Sequence, residues 1–297
     1  MTDTFDTRQV RRAFSRAAAG YGAAAALQRD VEARLMESLE YLGERVPDTV
    51  VDVGSGPGSA ALALRARWPK ARVLAVDLAL PMLHQLAPRR GWNPLQRRID
   101  RVCADARLLP LADNSVDLLF SNLCVQWVDD LDALFAGFRR VLRPGGMLLC
   151  STFGPDTLHE LRAAFAAADD EAHVSPFVPI AGFGDALMRA GFRDPVLDRE
   201  VEVHGHHDMP ALMRELRALG ATNALAGRRR ALTGRGRFAA AQAAYEEWRG
   251  ADNLLPATWE TITAMAWSPA HGAPIREAGA EIARFPASGI PVRRRTA

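Results

Sequence analysis

The run Val50-Val51-Asp52-Val53-Gly54-Ser55-Gly56-Pro57-Gly58 has residue types that packing alone does not explain. Its valines mark a short buried strand, its glycines break that strand, and Ala60-Ala61-Leu62-Ala63-Leu64 then opens a helix. Strand, tight turn and helix make a shelf. Glycine lets the backbone take positive φ and lets a ligand approach the main chain closely. The next apolar run, Val73-Leu74-Ala75-Val76, ends in Asp77, roughly 20 residues past the turn, where a carboxylate accepts hydrogen bonds from ribose hydroxyls. The chemistry indicated is the binding of a nucleotide-like cofactor.

A dinucleotide and S-adenosyl-L-methionine both fit so far, and the glycine spacing separates them in part. A dinucleotide fingerprint places its third glycine at position 59, which is Ser59 here, with Gly58 one residue earlier. The resulting Gly-x-Gly-x-Gly turn resembles the first motif of class I S-adenosylmethionine-dependent methyltransferases. Asp105 in Cys103-Ala104-Asp105-Ala106 resembles the acidic residue that meets the adenine amino group in that fold. The runs Leu109 to Asp117 before Leu118-Leu119-Phe120-Ser121-Asn122, and Leu142-Arg143-Pro144-Gly145-Gly146 before Met147-Leu148-Leu149-Cys150, complete the likeness. The resemblance implies S-adenosyl-L-methionine as cofactor, held by Asp52, Gly54, Ser55, Gly56, Gly58, Asp77, Leu78, Met82, Asp105, Ala106, Asn122 and Leu123. Tyr21 and Gln28 match the family's Tyr-x(6)-Gln pattern and join this set; a tyrosine ring face and hydroxyl both favour a nearby sulfonium.

These residues need an α/β scaffold to converge. Strands are predicted near 49–53, 72–77, 99–103, 116–121 and 146–153, alternating with helices, which implies a mostly parallel, Rossmann-like sheet with ligand-binding strand ends along one edge. Residues 1–46 carry helical spacing and, by the resemblance, cover the cofactor site. The methyltransferase domain is expected over 47–268, with helical lid elements at about 155–190 and 205–250. Helices are predicted over Pro155–Ala168, Gly182–Ala190 and Asp208–Leu219, and strands near Val196–Val203 and over Ala257–Trp267, the last antiparallel to the rest. A glycine- and arginine-rich loop spans Gly220–Arg237. The tail 269–297 lacks periodicity and is expected to be an ordered stub and a loose end.

Composition narrows the class. The 297 residues are 48% hydrophobic and 24% charged, as in an ordinary soluble protein. No leader pattern or spanning apolar run occurs, so a cytoplasmic location away from membranes is expected. Cys103, Cys124 and Cys150 show no metal-ligand spacing and are expected as buried apolar side chains. His204, His206 and His207 lack companion ligands and are expected on the surface, so no metal is expected. Arg228-Arg229-Arg230, Arg235, Arg237 and Arg293-Arg294-Arg295 concentrate positive charge despite a net charge of only +2. Such clusters suit solvent or an acidic partner. No motif for amide- or base-nitrogen methylation follows Ser121, which counts against a nucleic-acid substrate.

Further runs carry a narrower resemblance. Phe120-Ser121-Asn122-Leu123-Cys124-Val125-Gln126-Trp127, Ser151-Thr152-Phe153-Gly154-Pro155-Asp156-Thr157-Leu158, His173-Val174-Ser175-Pro176-Phe177 and Leu219 to Gly234 resemble, in order, the malonyl-acyl-carrier-protein O-methyltransferases of biotin synthesis. The match covers about residues 8 to 268. It implies esterification of the free carboxylate of a malonyl thioester borne by an acidic carrier protein, early in pimeloyl assembly. A carboxylate with pKa near ~4 is ionised at neutral pH, so the reaction needs placement and dehydration rather than a base. A guanidinium is the natural carboxylate clamp, with Arg228 expected first and Arg162 second, beside Tyr21 as the third catalytic candidate. Two alternatives share parts of the pattern: a quinone-type C-methyltransferase, and an assembly factor of respiratory complex I.

Overall fold

The structure is a computed structural model, which describes residues 4–86, 98–229 and 234–270 together with the strands 275–277 and 280–282. Its helices are α1 (Thr7–Ala17), α2 (Tyr21–Ala24), α3 (Ala26–Glu37), α4 (Ser59–Arg67), α5 (Leu80–Gln85), α6 (Leu131–Val141), α7 (His159–Ala166), α8 (Ile180–Arg189), α9 (Met209–Ala218) and α10 (Arg235–Glu246). The main strands are β1 (Thr49–Val53), β2 (Arg72–Asp77), β3 (Asp100–Cys103), β4 (Val116–Ser121), β5 (Leu142–Phe153), β6 (Arg193–His206) and β7 (Leu255–Trp267). They form one seven-stranded sheet in the order β3-β2-β1-β4-β5-β7-β6. β7 runs antiparallel to both β5 and β6, while the β1, β2, β3, β4 and β5 pairs are parallel. The order reverses at β1, where β2 lies to one side and β4 to the other, and there the strand ends part to admit a ligand.

Both faces of the sheet are covered, so its central strands read as continuous apolar runs rather than alternating ones. One face packs Val51, Val53, Leu119 and Leu148 under Leu134, Phe135 and Phe138 of α6 and Phe183 and Leu187 of α8. The other packs Val50, Val73, Leu118 and Leu149 under Leu64 of α4, Leu35 of α3 and Leu39. Each buried Leu or Phe contributes roughly 1.5–3 kcal/mol relative to exposure. These two layers hold the strand ends still.

A third cluster lies beyond β5 and β7. Phe153, Leu161, Phe165, Leu212, Tyr245 and Trp259 join α7, α9 and α10 to the sheet. α10 falls partly where the glycine- and arginine-rich sequence predicted loop. Its alanine-rich stretch has high helix propensity, and Ala241 and Tyr245 bury against α7 while Tyr245 Oη donates to the Pro256 carbonyl at 2.5 Å.

Other elements also differ from expectation. Residues 155–158 form a turn before α7 rather than its first coil, with Leu158 at φ +53°. β6 is longer than predicted because β7 supplies it with partners from Arg193 to His206. His206 is buried and pairs with Glu215 at 2.9 Å instead of lying on the surface, because β6 runs under α9 there. Cys103 is exposed, since β3 is the sheet's edge strand; Cys150 is buried as expected. Beyond residue 270 the described part of the tail is an antiparallel pair, Ile275–Glu277 with Ala280–Ile282, and the rest of the tail lies outside the described residues.

Candidate functional site

The turn after β1 builds the floor of the site. Gly54 and Ser55 donate their backbone N–H groups to the Val76 carbonyl at 2.8 and 3.0 Å, which ties the turn to the end of β2. Gly54, Gly56 and Gly58 take φ of +72°, +54° and +88°. Their roles differ. A Cβ on Gly54 would overlap the Cβ and Sγ of Cys124, one on Gly58 would lie 2.5 Å from Leu86 Cδ1, and one on Gly56 would meet only the Tyr21 ring, at 3.9 Å. Gly56 therefore keeps space for a ligand, whereas Gly58 is removed from the cofactor set: it faces Leu86 and lines neither described cavity.

Asp77 locks the same turn from the other side. Its Oδ2 accepts from the Gly56 N–H at 2.9 Å and its Oδ1 from the Ala79 N–H at 2.7 Å. Asp52 caps the start of α4 by accepting from the Ala61 N–H at 3.0 Å, and Glu32 of α3 accepts from Ser59 Oγ at 2.5 Å. Burial raises the pKa of all three carboxyls, most strongly that of Asp52, which Glu32 and Asp77 push up further. Three acids around one glycine turn set a potential that favours a cation.

Two connected hollows meet at Tyr21. One, of about 780 Å³, is lined by Gly54, Gly56, Asp77, Leu78, Met82, Asp105, Ala106, Asn122 and Leu123 of the expected set. Thr7, Val10 and Phe14 of α1 and Trp127 and Val128 close its far wall. The other, of about 570 Å³, lies over Asp52, Ser55 and Gly56 and is bounded by Gln28, Arg29 and Glu32. Burial, with Asp77, Cys124 and Glu32 nearby, raises the Tyr21 hydroxyl above its ordinary pKa, so it stays a neutral donor. Burial likewise pushes the Cys124 thiol up to about 12, which rules it out as a thiolate nucleophile.

Asn122 is fixed by its neighbours: its Nδ2 donates to the Gln28 carbonyl at 2.8 Å and its Oδ1 accepts from Ser151 Oγ at 2.7 Å. This joins α3 to the ends of β4 and β5. Asp105 is gripped by Arg107 through Nε and a second guanidinium nitrogen at 2.6–3.1 Å. Burial would raise its pKa, but the Arg107 hydrogen bonds and charge prevail and hold it below the usual carboxylate range. Arg107 is the only cationic side chain among the described residues lining the larger hollow.

Both arginines expected as clamps stand elsewhere. Arg228 donates to the Leu225 carbonyl at 2.8 Å and to Asp6 Oδ2 at 3.1 Å, tying the chain before α1 to the loop after α9. Arg162 donates to the Pro155 and Thr157 carbonyls, both at 3.1 Å. Neither lines the hollows, because each guanidinium satisfies carbonyls of its own turn. The Gly154-Pro155-Asp156-Thr157 run has a structural use as well. Glu260, buried in β7, accepts from the Asp156 N–H at 2.6 Å and from Arg199 Nε at 2.5 Å, and a Cβ on Gly154 would overlap its carboxylate. The residues missed in the sequence are Thr7, Val10, Phe14, Glu32, Arg107, Cys124 and Trp127; Glu32 and Arg107 carried charges that could have flagged them, while the place of the other five is set only by the fold.

The hollows fit S-adenosyl-L-methionine. Ser55 Oγ and Gln28 Oε1 are buried without a hydrogen-bond partner among the described residues, the carboxylates complement a sulfonium and an amino group, and Gly56 leaves room at the shelf. No His, Cys, Asp or Glu cluster among the described residues could hold a metal. Residues 51–150 match a family described as a methyltransferase domain. The YcgJ protein of Bacillus subtilis shares the fold with a TM-score of 0.56 at 13% identity, over 79% of this chain and 97% of its own. The cyclase SpnF does so with a TM-score of 0.50 at 20% identity, over 80% of each chain. Fold and site together define a class I S-adenosyl-L-methionine-dependent methyltransferase.

Sequence relatives narrow the class. A malonyl-acyl-carrier-protein O-methyltransferase of Xylella fastidiosa (strain M23) is 56% identical over 296 residues, 99% of either chain. The protein of the same name from Methylovorus sp. (strain MP688) is 46% identical over 89% of this chain and 90% of its own. The chain belongs to the malonyl-acyl-carrier-protein O-methyltransferase family.

Proposed function

We propose that the protein converts the free carboxylate of a malonyl thioester, carried on acyl carrier protein, to its methyl ester, supplying a masked starter for pimeloyl and biotin synthesis. The observation that carries this reading is end-to-end identity of 56% with a relative of that name. The larger hollow supports it, because an apolar wall of Val10, Phe14, Leu123, Trp127 and Val128 continues directly from the cofactor shelf.

S-adenosyl-L-methionine, when bound, supplies an electrophilic methyl group on a sulfonium. Asp77 would hold its ribose; Asp52, Glu32, Ser55 and Gln28 would hold the amino-acid end. Tyr21, at the junction of the hollows, would stand beside the sulfonium. The remaining task of the chain is to bring a carboxylate oxygen up to the shelf and strip its water. The malonyl carboxyl is ionised at neutral pH, with a reference pKa of ~4, so no residue needs to remove a proton. Phe14, Trp127 and Leu123 would exclude water, and Tyr21, whose hydroxyl stays neutral, would serve as a donor there.

The absence of a second cation on the described wall has an energetic sense. A guanidinium gripping the carboxylate would favour the charged reactant over the neutral ester and raise the barrier. Neutral donors orient without that penalty. The quinone-type and assembly-factor alternatives have no observation in their favour here. Intact-mass analysis after incubation with the methyl donor separates the readings. Malonyl-carrier protein should gain one methyl, while acetyl-carrier protein, which lacks a free carboxylate, should gain none. Methylation of both, or of neither, would refute ester formation.

A further inference from the structure

α1 has two faces of opposite character. Val10, Ala13 and Ala17 are buried, and Thr7, Val10 and Phe14 line the larger hollow. Arg8, Arg11, Arg12 and Arg16 are exposed on the other side. At about 100° per residue these four guanidinium-bearing positions cover an arc of roughly 140°, centred opposite the buried stripe. The helix contains no acidic residue. None of the four side chains makes an ion pair or hydrogen bond among the described residues, whereas exposed Arg72, Arg140 and Arg189 are each neutralised by an aspartate at 2.6–2.8 Å. Asp6, just before the helix in sequence, is committed to capping it and to Arg228.

Arg8, Arg12 and Arg16 also stand four residues apart, so their like charges disfavour the very helix they occupy. An acidic surface laid along α1 offsets that repulsion. The helix is firmly based for such a role. Its leading residues pair with the 224–226 loop through the Phe5–Leu225 bridge, and Asp129 Oδ2 accepts from the Thr4 and Phe5 N–H groups at 2.9 and 3.2 Å.

We infer that the outer face of α1 is the docking surface for the acidic carrier protein, with Arg8, Arg11, Arg12 and Arg16 as its charge complement. The inference rests on the proposed function. Because the same helix forms a wall of the hollow, only the thickness of one helix, about 10–12 Å, separates a carrier seated on these arginines from the site. This surface differs from the arginine runs at 228–237 and 293–295 that the sequence singled out. Of the former, Arg228 is spent on Asp6 and Arg237 stands 3.9 Å from Asp169.

The test uses the full-length protein with all four arginines changed to glutamine. Affinity for malonyl-carrier protein, measured by titration calorimetry at low salt, should weaken at least tenfold and lose most of its salt dependence. Affinity for S-adenosylhomocysteine and turnover at saturating carrier should stay at wild-type values. A charge reversal at two positions, R8E with R12E, makes the same change in net charge with fewer substitutions, serves if the quadruple variant melts early, and should also weaken affinity at least tenfold. Exposed Arg67 and Arg217, changed together to glutamine, are the control and should leave carrier affinity unchanged. Unaltered carrier affinity in a folded variant, or an equal loss in the control, overturns the docking surface while leaving the chemistry standing. A wild-type protein that does not methylate malonyl-carrier protein overturns the proposed function itself, and is seen before any variant is made.

Discussion

The three glycines of the turn should fail in three different ways when each is replaced by alanine. At Gly54 the penalty has two parts: an alanine at φ +72° costs roughly 1–2 kcal/mol, and its methyl collides with Cys124, where overpacking costs about 1–3 kcal/mol more. The sum, about 2–5 kcal/mol, is a large share of the 5–15 kcal/mol that typically holds a domain together. At Gly56 only the backbone part applies, because the nearest protein atom to the new methyl is the Tyr21 ring at 3.9 Å. That methyl would instead occupy ligand space. Gly58→Ala resembles the first case, with Leu86 Cδ1 at 2.5 Å, but points away from the hollows. Urea denaturation of the free protein and calorimetric titration with S-adenosylhomocysteine separate the effects. Gly56→Ala should lose about 1–2 kcal/mol of stability yet show the greatest direct loss of affinity, while Gly54→Ala should be the least stable at equal binding-site occupancy. The collision has a specific remedy: adding Cys124→Gly to Gly54→Ala removes both overlapping atoms and should recover the collision part of the loss, about 1–3 kcal/mol, but not the backbone part, whereas Cys124→Ala, which keeps its Cβ, should recover less. If Gly54→Ala unfolds at the wild-type urea concentration, or Gly56→Ala binds as the wild type does, the assignment of roles is wrong.

Further outcomes follow from the same geometry. Asp77→Asn should weaken S-adenosylhomocysteine binding by about 1–3 kcal/mol, or five- to 150-fold, because one of two acceptor oxygens becomes a donor; unchanged affinity in calorimetry would detach Asp77 from the ribose. Burial raises Glu32, Asp52 and Asp77, so their protonated forms are favoured in the folded protein. These three groups therefore contribute stability that is fully present below the unfolded carboxyl range of about 4 and is lost as pH rises through the raised values, and a bound cation, by lowering those values, should release protons. Calorimetry of S-adenosyl-L-methionine binding in buffers of different ionisation enthalpy at mildly acidic pH reads that release, and proton uptake would contradict it. Arg228 is tied to Asp6, so D6N, which keeps an N-cap oxygen, and R228Q should lose stability less than additively in a double-mutant cycle and leave turnover little changed; a turnover loss in R228Q far beyond that of D6N would return Arg228 to the role of carboxylate clamp.

Local chemistry in the chain was enough to place β1, β2, β4 and the first part of the site. Val50, Val51 and Val53 run into glycine, Val73 to Val76 run into Asp77, and each acidic or amide residue at a strand end reached the expected edge. What could not be read depends on partners distant along the chain. Cys124 lies beneath Gly54, and Asp6 meets Arg228 across 222 positions. Nothing in either local sequence announces the other. The Gly154 turn carried the family likeness but serves the buried Glu260 carboxylate of β7, so a recurring pattern reflected packing rather than catalysis. The contribution of α1 was hidden for a related reason: its helical period was visible, but which side faces a ligand is settled only when Phe14 packs on Tyr21 and Trp127.

Under the proposed function this pocket methylates a carboxylate by orientation and dehydration, with no side chain acting as a base. The pH dependence of the single-turnover rate, with both substrates saturating, tests it most directly. A rate independent of pH from about 6 to 9 is expected, falling only on the acid side as carboxyl groups become protonated. A rate that climbs tenfold per pH unit through neutrality to a plateau would reveal a required base and contradict it.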